Sequence, residues 1–125
     1  MKITALLFLA ELESALPFWV DRMGFDKVAE MPHEDKIGFV ILTKSGTELM
    51  LQSHASAAAD SPALAEFAQN SRTALYIEVD DFNDTLARLK GYPISMPVRE
   101  TFYGMREIGV TAPGDHMVVF AAKLG

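Results

Sequence analysis

The chain has 125 residues, half of them apolar, enough for one domain with a real core and too few for two ordinary ones. Seventeen acidic against eleven basic residues leave a net charge of −6, which repels phosphate backbones and argues against nucleic acid as a partner. There is no cysteine, so disulfides, thiolate metal sites and a thiol nucleophile are excluded together, and a cytoplasmic setting is expected.

Lys2 precedes an apolar run from Ile3 to Ala10. Glu11 and Glu13 follow at once and no small-x-small cleavage site appears, so the run reads as a first strand at residues 2–9 rather than a signal peptide. It is also far too short to span a membrane. Ser14 is placed to cap a helix running to about Met23, with Pro17 in the first turn and Gly24 closing it with a positive φ. Strand-like runs follow at about 25–31, 37–43 and 47–52, the last two joined by a turn over Lys44 to Thr47.

Residues 54–71 change character: small and polar from His54 to Ser61, then a short helix over Pro62 to Gln69. The pattern then restarts. A strand at 73–79 leads to a helix at about 81–90 closed by Gly91, and strands follow at about 94–101, 105–111 and 116–122. Ala112 to Asp115 makes the last turn. The order is βαβββ, linker, βαβββ, a repeat with a period of about 70 residues. The fold class is α+β: modules at about 1–53 and 72–125, joined by the linker 54–71. Neither module buries its sheet face alone, so the two are expected to form a single domain.

Alternation along four strands separates two faces. Ala5, Leu7 and Leu9, then Leu49 and Leu51, then Leu75, Ile77 and Val79, then Val118 and Phe120 are all apolar and suit packing against helices. The other set is Thr4, Leu6, Phe8; Glu48, Met50, Gln52; Ala74, Tyr76, Glu78; Met117, Val119, Ala121. That mixture of apolar, aromatic and acidic groups suits a wall around a small molecule. The alternative is a half-exposed sheet face with incidental aromatics. Phe8, Glu48, Met50, Gln52, Tyr76 and Glu78 are therefore candidate ligand-binding residues. A buried unpaired carboxylate is costly, so Glu78 is expected to meet solvent, a cationic ligand or a partner such as Arg106. Phe102, Tyr103 and Met105 form an aromatic and Met-rich hairpin that either stacks on a flat ligand or plugs the barrel, which makes Tyr103 a further ligand-binding candidate, with Arg106 beside it.

Three segments carry a family resemblance. ELESALPFWVDRMGF (Glu11 to Phe25) is similar to the first-helix signature of the vicinal-oxygen-chelate superfamily of glyoxalases, bleomycin-resistance proteins and dioxygenases. GTELMLQ (Gly46 to Gln52) resembles that superfamily's fourth strand, and YGMREIGVTAPGDHMVVF (Tyr103 to Phe120) resembles its last hairpin. The family's Asp-Pro-Asp-Gly turn is here Ala112-Pro113-Gly114-Asp115. The resemblance covers nearly the whole chain and implies a glyoxalase-like barrel built from the two modules. It speaks less to chemistry, because this fold hosts unrelated activities.

The positions that correspond to the metal ligands of metal-dependent members are Thr4, Met50, Ala74 and Val119. One hydroxyl, one thioether and two hydrocarbon side chains do not suit a divalent cation, so no metal and no cofactor is expected. Glu48 and Glu78 share the polar set, but no inward histidine joins them. His33, His54 and His116 are scattered and read as loop residues, and neither a phosphate-binding Gly loop nor a nucleophile elbow is present. In helix one, Phe18 is expected on the sheet and Trp19 at an edge or chain–chain contact.

The resemblance then implies a metal-independent binding protein of the bleomycin-resistance kind, sequestering an aromatic or cationic compound such as an antibiotic. The alternative is a metal-dependent lyase, isomerase or dioxygenase of the glyoxalase type. No catalytic residue is assigned. A homodimer is expected, with a small-molecule ligand as partner and neither nucleic acid nor membrane.

Overall fold

All 125 residues are described by a computed structural model. They form two compact units, Met1–Arg72 and Thr73–Gly125. No helix is long and apolar enough to cross a membrane.

The first unit holds β1 (Ala5–Leu9), α1 (Pro17–Arg22), β2 (Asp26–His33), β3 (Lys36–Lys44), β4 (Thr47–Ser53), α2 (His54–Asp60) and α3 (Pro62–Gln69). Its sheet runs β1-β4-β3-β2, with β1 and β4 parallel and the other pairs antiparallel. The register sets Leu7 beside Leu51 and Leu51 beside Val40, and Leu49 beside Leu42. All five are buried on one face, as the alternation predicts. Each such side chain contributes about 1.5–3 kcal/mol of burial.

Helix α1 starts later than the sequence suggests. The Ser14 hydroxyl donates to the Glu11 carbonyl at 2.8 Å and caps nothing; Pro17 opens the helix instead. The helix is wound wide, with the Met23 N–H reaching the Phe18 carbonyl five residues back at 2.9 Å. Gly24 follows with φ +81°. Trp19 is not an edge residue. It is fully buried, with Phe18 and Phe25 packed edge to face at 5.0 and 5.3 Å.

The linker holds two helices rather than one. The Ser53 hydroxyl accepts the Ser56 N–H at 3.1 Å, and the alanine run that reads as mere small residues has high helix propensity. Ser61 caps α3 in the same way, with Pro62 at its first position. Phe8 is buried with Ala57 and Ala68 from these helices, Leu6 and Leu64 pack alongside, and Phe67 meets the Phe8 ring edge-on at 6.0 Å.

The second unit holds β5 (Ala74–Glu78), α4 (Phe82–Arg88), β6 (Met96–Glu100), β7 (Met105–Ala112) and β8 (His116–Lys123). Its sheet runs β5-β8-β7-β6, with β5 and β8 parallel. Asp81 caps α4 by accepting the Asp84 N–H at 3.0 Å. Leu75, Ile77, Val118, Phe120, Ile108 and Val110 share one face by register, and Phe82 and Thr85 of α4 are buried. His116 is no loop residue: it opens β8, is fully buried, and its Nδ1 accepts the Thr73 N–H at 3.0 Å. The α+β class and the paired βαβββ order hold. The eight strands form two separate four-stranded sheets rather than one closed ladder.

Candidate functional site

The face of the second sheet opposite α4 is built by alternation. Tyr76 pairs with Val119 and Glu78 with Ala121; Gly109 and Glu107 of β7 lie beside those two residues in turn. Arg99 of β6 lies opposite Glu107 and Met96 opposite Gly109. Met96 and Arg99 are three residues apart, so plain alternation would put them on opposite faces. A register shift between them brings both to this one. Gly109 leaves room for Met96, whose Cβ is 2.9 Å from where a Gly109 Cβ would stand.

Glu107 is the hub. It is 1% exposed, and a carboxylate so covered is costly unless each oxygen is paired. Its Oε2 accepts the hydroxyls of Tyr76 at 2.6 Å and Tyr103 at 2.7 Å. Its Oε1 accepts Arg99 Nε at 3.0 Å and Nη2 at 2.9 Å. Four donors fill the carboxylate's capacity. The Tyr76 hydroxyl, with help from Tyr103 and Arg99, holds Glu107 below the usual carboxylate range despite burial. The Tyr76 phenol is pushed up to about 12, first by its bond to Glu107, then by burial and the carboxylate's field. Tyr103 is raised for the same leading reason.

The rings remain accessible: Tyr76 and Tyr103 are each about half exposed. Tyr103 sits in a tight turn where Gly104 takes φ +82° and Thr101 and Met105 exchange hydrogen bonds. Phe102 in that turn is fully exposed and meets Tyr103 edge to face at 5.0 Å, so it plugs nothing within the chain. The arrangement holds two phenol rings rigid beside an exposed phenylalanine, with Glu78 exposed two residues from Tyr76.

Arg106 is a correction. It neighbours Ala122, the opposite parity to Glu107, and its guanidinium lies 5.7 Å from the Phe82 ring of α4. Its carboxylate neighbour is Glu100 at 3.8 Å, so it does not partner Glu78. Tyr76, Glu78 and Tyr103 do come together. Glu107 and Arg99 escape the sequence reading. Extending the alternation to β7 finds Glu107; the register shift in β6 hides Arg99.

The remaining candidates lie on the first sheet. Glu48 accepts from Lys2 Nζ at 3.0 Å and Thr4 Oγ1 at 3.5 Å. Met50 is half-buried between Leu6 and Ile41 in register. Gln52 is buried and donates to Ser56 Oγ at 3.2 Å. It lines an open cleft of about 410 Å³ with Met31, Phe39, Ser56, Ala59 and Asp60, a volume suited to a small molecule. Phe8 packs under α2 and α3 and does not line this cleft.

At the metal-equivalent positions, Met50 lies beside Leu6 and Ile41, Val119 beside Tyr76 and Gly109, and Ala74 beside Met117. With Thr4 they bring one hydroxyl and one thioether, a donor set that does not fit a divalent cation.

Among curated proteins, none matches the sequence. Solved structures do. A lactoylglutathione lyase from Agrobacterium tumefaciens superposes with a TM-score of 0.75 at 16% identity, covering 98% of this chain and 92% of that one. The antibiotic binding protein TnmS3 from Streptomyces sp. CB03234 gives 0.67 at 20%, covering 98% and 97%. A bleomycin-binding protein from bleomycin-producing Streptomyces verticillus, complexed with copper(II)-bleomycin, gives 0.61 at 21%, covering 100% and 96%. At these identities the likeness concerns the fold, and it is shared by a lyase and by binding proteins alike. The family's sequence profile matches residues 3–120, and the chain belongs to the glyoxalase/bleomycin resistance protein/dioxygenase superfamily.

Proposed function

We propose that the protein binds a small aromatic or cationic compound without metal and sequesters it, as a homodimer in the cytoplasm. The observation that carries this reading is the pair of half-exposed tyrosines locked onto one buried carboxylate beside exposed Phe102. Rigid aromatic rings give contact area at little entropic cost, and their faces attract cations. Glu107 supports binding over turnover, because a carboxylate with four donors and a lowered pKa is a poor proton acceptor or donor at neutral pH. Antibiotic-binding and bleomycin-binding neighbours support the same reading.

The test is thermal stabilisation of the purified chain by bleomycin and a panel of flat cationic antibiotics. At about 100 times Kd, binding adds about 2.7 kcal/mol and raises Tm by several degrees. A panel with no shift, or stoichiometric Zn²⁺, Ni²⁺, Mn²⁺ or Fe²⁺ surviving dialysis, contradicts the reading. The second result favours a metal-dependent lyase, isomerase or dioxygenase.

A further inference from the structure

We propose that Glu107 sets the hydrogen-bond polarity of the open face of the second sheet, so that the face selects planar ligands bringing N–H donors, aromatic amidines above all. This rests on the binding reading above and names the ligand class for the same site. A phenol has one proton to give. Tyr76 gives its proton to Glu107 Oε2, and Tyr103 gives its own to the same atom. The Tyr103 oxygen also meets the Arg99 and Thr101 side chains, whereas Tyr76, half exposed, still offers a ligand its oxygen's lone pairs.

The carboxylate itself is saturated, since Arg99 occupies Oε1 through Nε and Nη2. That leaves Lys123 as the donor toward one end of the face, against the Tyr76 oxygen and the Glu78 carboxylate as acceptors. Charge alone does not decide. Arg99 and Glu107 offset each other, while exposed Glu78 and exposed Lys123, at the far end of β8, are opposite in sign. The fixed direction of the phenol protons decides. A carboxylate or phosphate ligand would meet oxygen lone pairs; an amidinium would meet acceptors and two ring faces.

Calorimetric titration of the full chain with 2-naphthamidine and with 2-naphthoate tests this, because the probes share ring and shape and differ in polarity. The amidine is expected to bind about tenfold tighter or more. In Glu107→Gln the amide oxygen stays with the Arg99 guanidinium and the NH2 turns toward the phenols, which releases their protons outward, and the preference falls toward unity. Tyr76→Phe, which removes the acceptor oxygen together with one of the four donors to Glu107, is expected to weaken the amidine about fivefold and leave naphthoate unimproved. Should Glu107→Gln not fold, Tyr76→Phe decides. Naphthoate binding as tightly as the amidine overturns the polarity inference and leaves the binding reading standing, as does an unchanged preference in the variants. Failure of both probes to bind overturns the amidine class, and the antibiotic panel above decides the binding reading separately.

Discussion

The two units share one element order and use it differently. In the first, β4 runs into two capped helices, and these cover Phe8 on the sheet face away from the Leu-rich core. In the second, the corresponding face carries no helix, and Tyr76, Glu78 and Tyr103 stay accessible above a buried carboxylate. The same alternation therefore means packing in one half and an accessible face, the binding wall of the proposed function, in the other. The difference lies in the segment after β4, which forms two helices over that face of the first unit.

The sharpest way to break that comparison is Phe8→Ala. If Phe8 packs under α2 and α3, its loss costs about 3–5 kcal/mol in denaturant unfolding and leaves the phenol pair untouched. A silent Phe8→Ala that weakens ligand instead returns Phe8 to the binding wall. His116→Ala is next: the Thr73 N–H loses its acceptor, at about 1–3 kcal/mol, measurable in the same unfolding experiment. Arg106→Ala is expected to cost about 0.5–1 kcal/mol from its contact with Phe82 and to leave ligand affinity unchanged, because it lies on the helix face.

Alkaline titration probes the hub without mutation. Tyr76 has a raised pKa, so the stability it contributes is fully present below the ordinary tyrosine value and is lost as pH rises through about 12. Glu107 acts at the other end: its pKa is lowered, so its contribution is present above the ordinary carboxylate value and lost as pH falls through the lowered one. Tyrosinate absorbance is expected to show a phase delayed to about pH 12; ionisation of every tyrosine near 10 contradicts the hub.

Much of the fold is legible because its signals are local. Strand alternation, Gly24 after the helix and the repeat of element order all survive in the structure. The misses share a physical cause. Ser14 looks like a cap, but Pro17 and the wide turn set the helix start. The alanine run looks featureless until Ser53 caps it. Arg106 looks like the partner of Glu78 until β7 is paired with β8, which turns Glu107 to that face. Arg99 depends on a one-residue register shift, and nothing short of three-dimensional pairing shows it.

The most direct test of the second sheet as the binding wall is chemical-shift mapping of the labelled chain with 2-naphthamidine. Shifts confined to Tyr76, Glu78, Tyr103, Glu107 and Val119 are predicted. Shifts centred on Arg106 and Phe82, or on Phe8 and the helices above it, contradict the assignment.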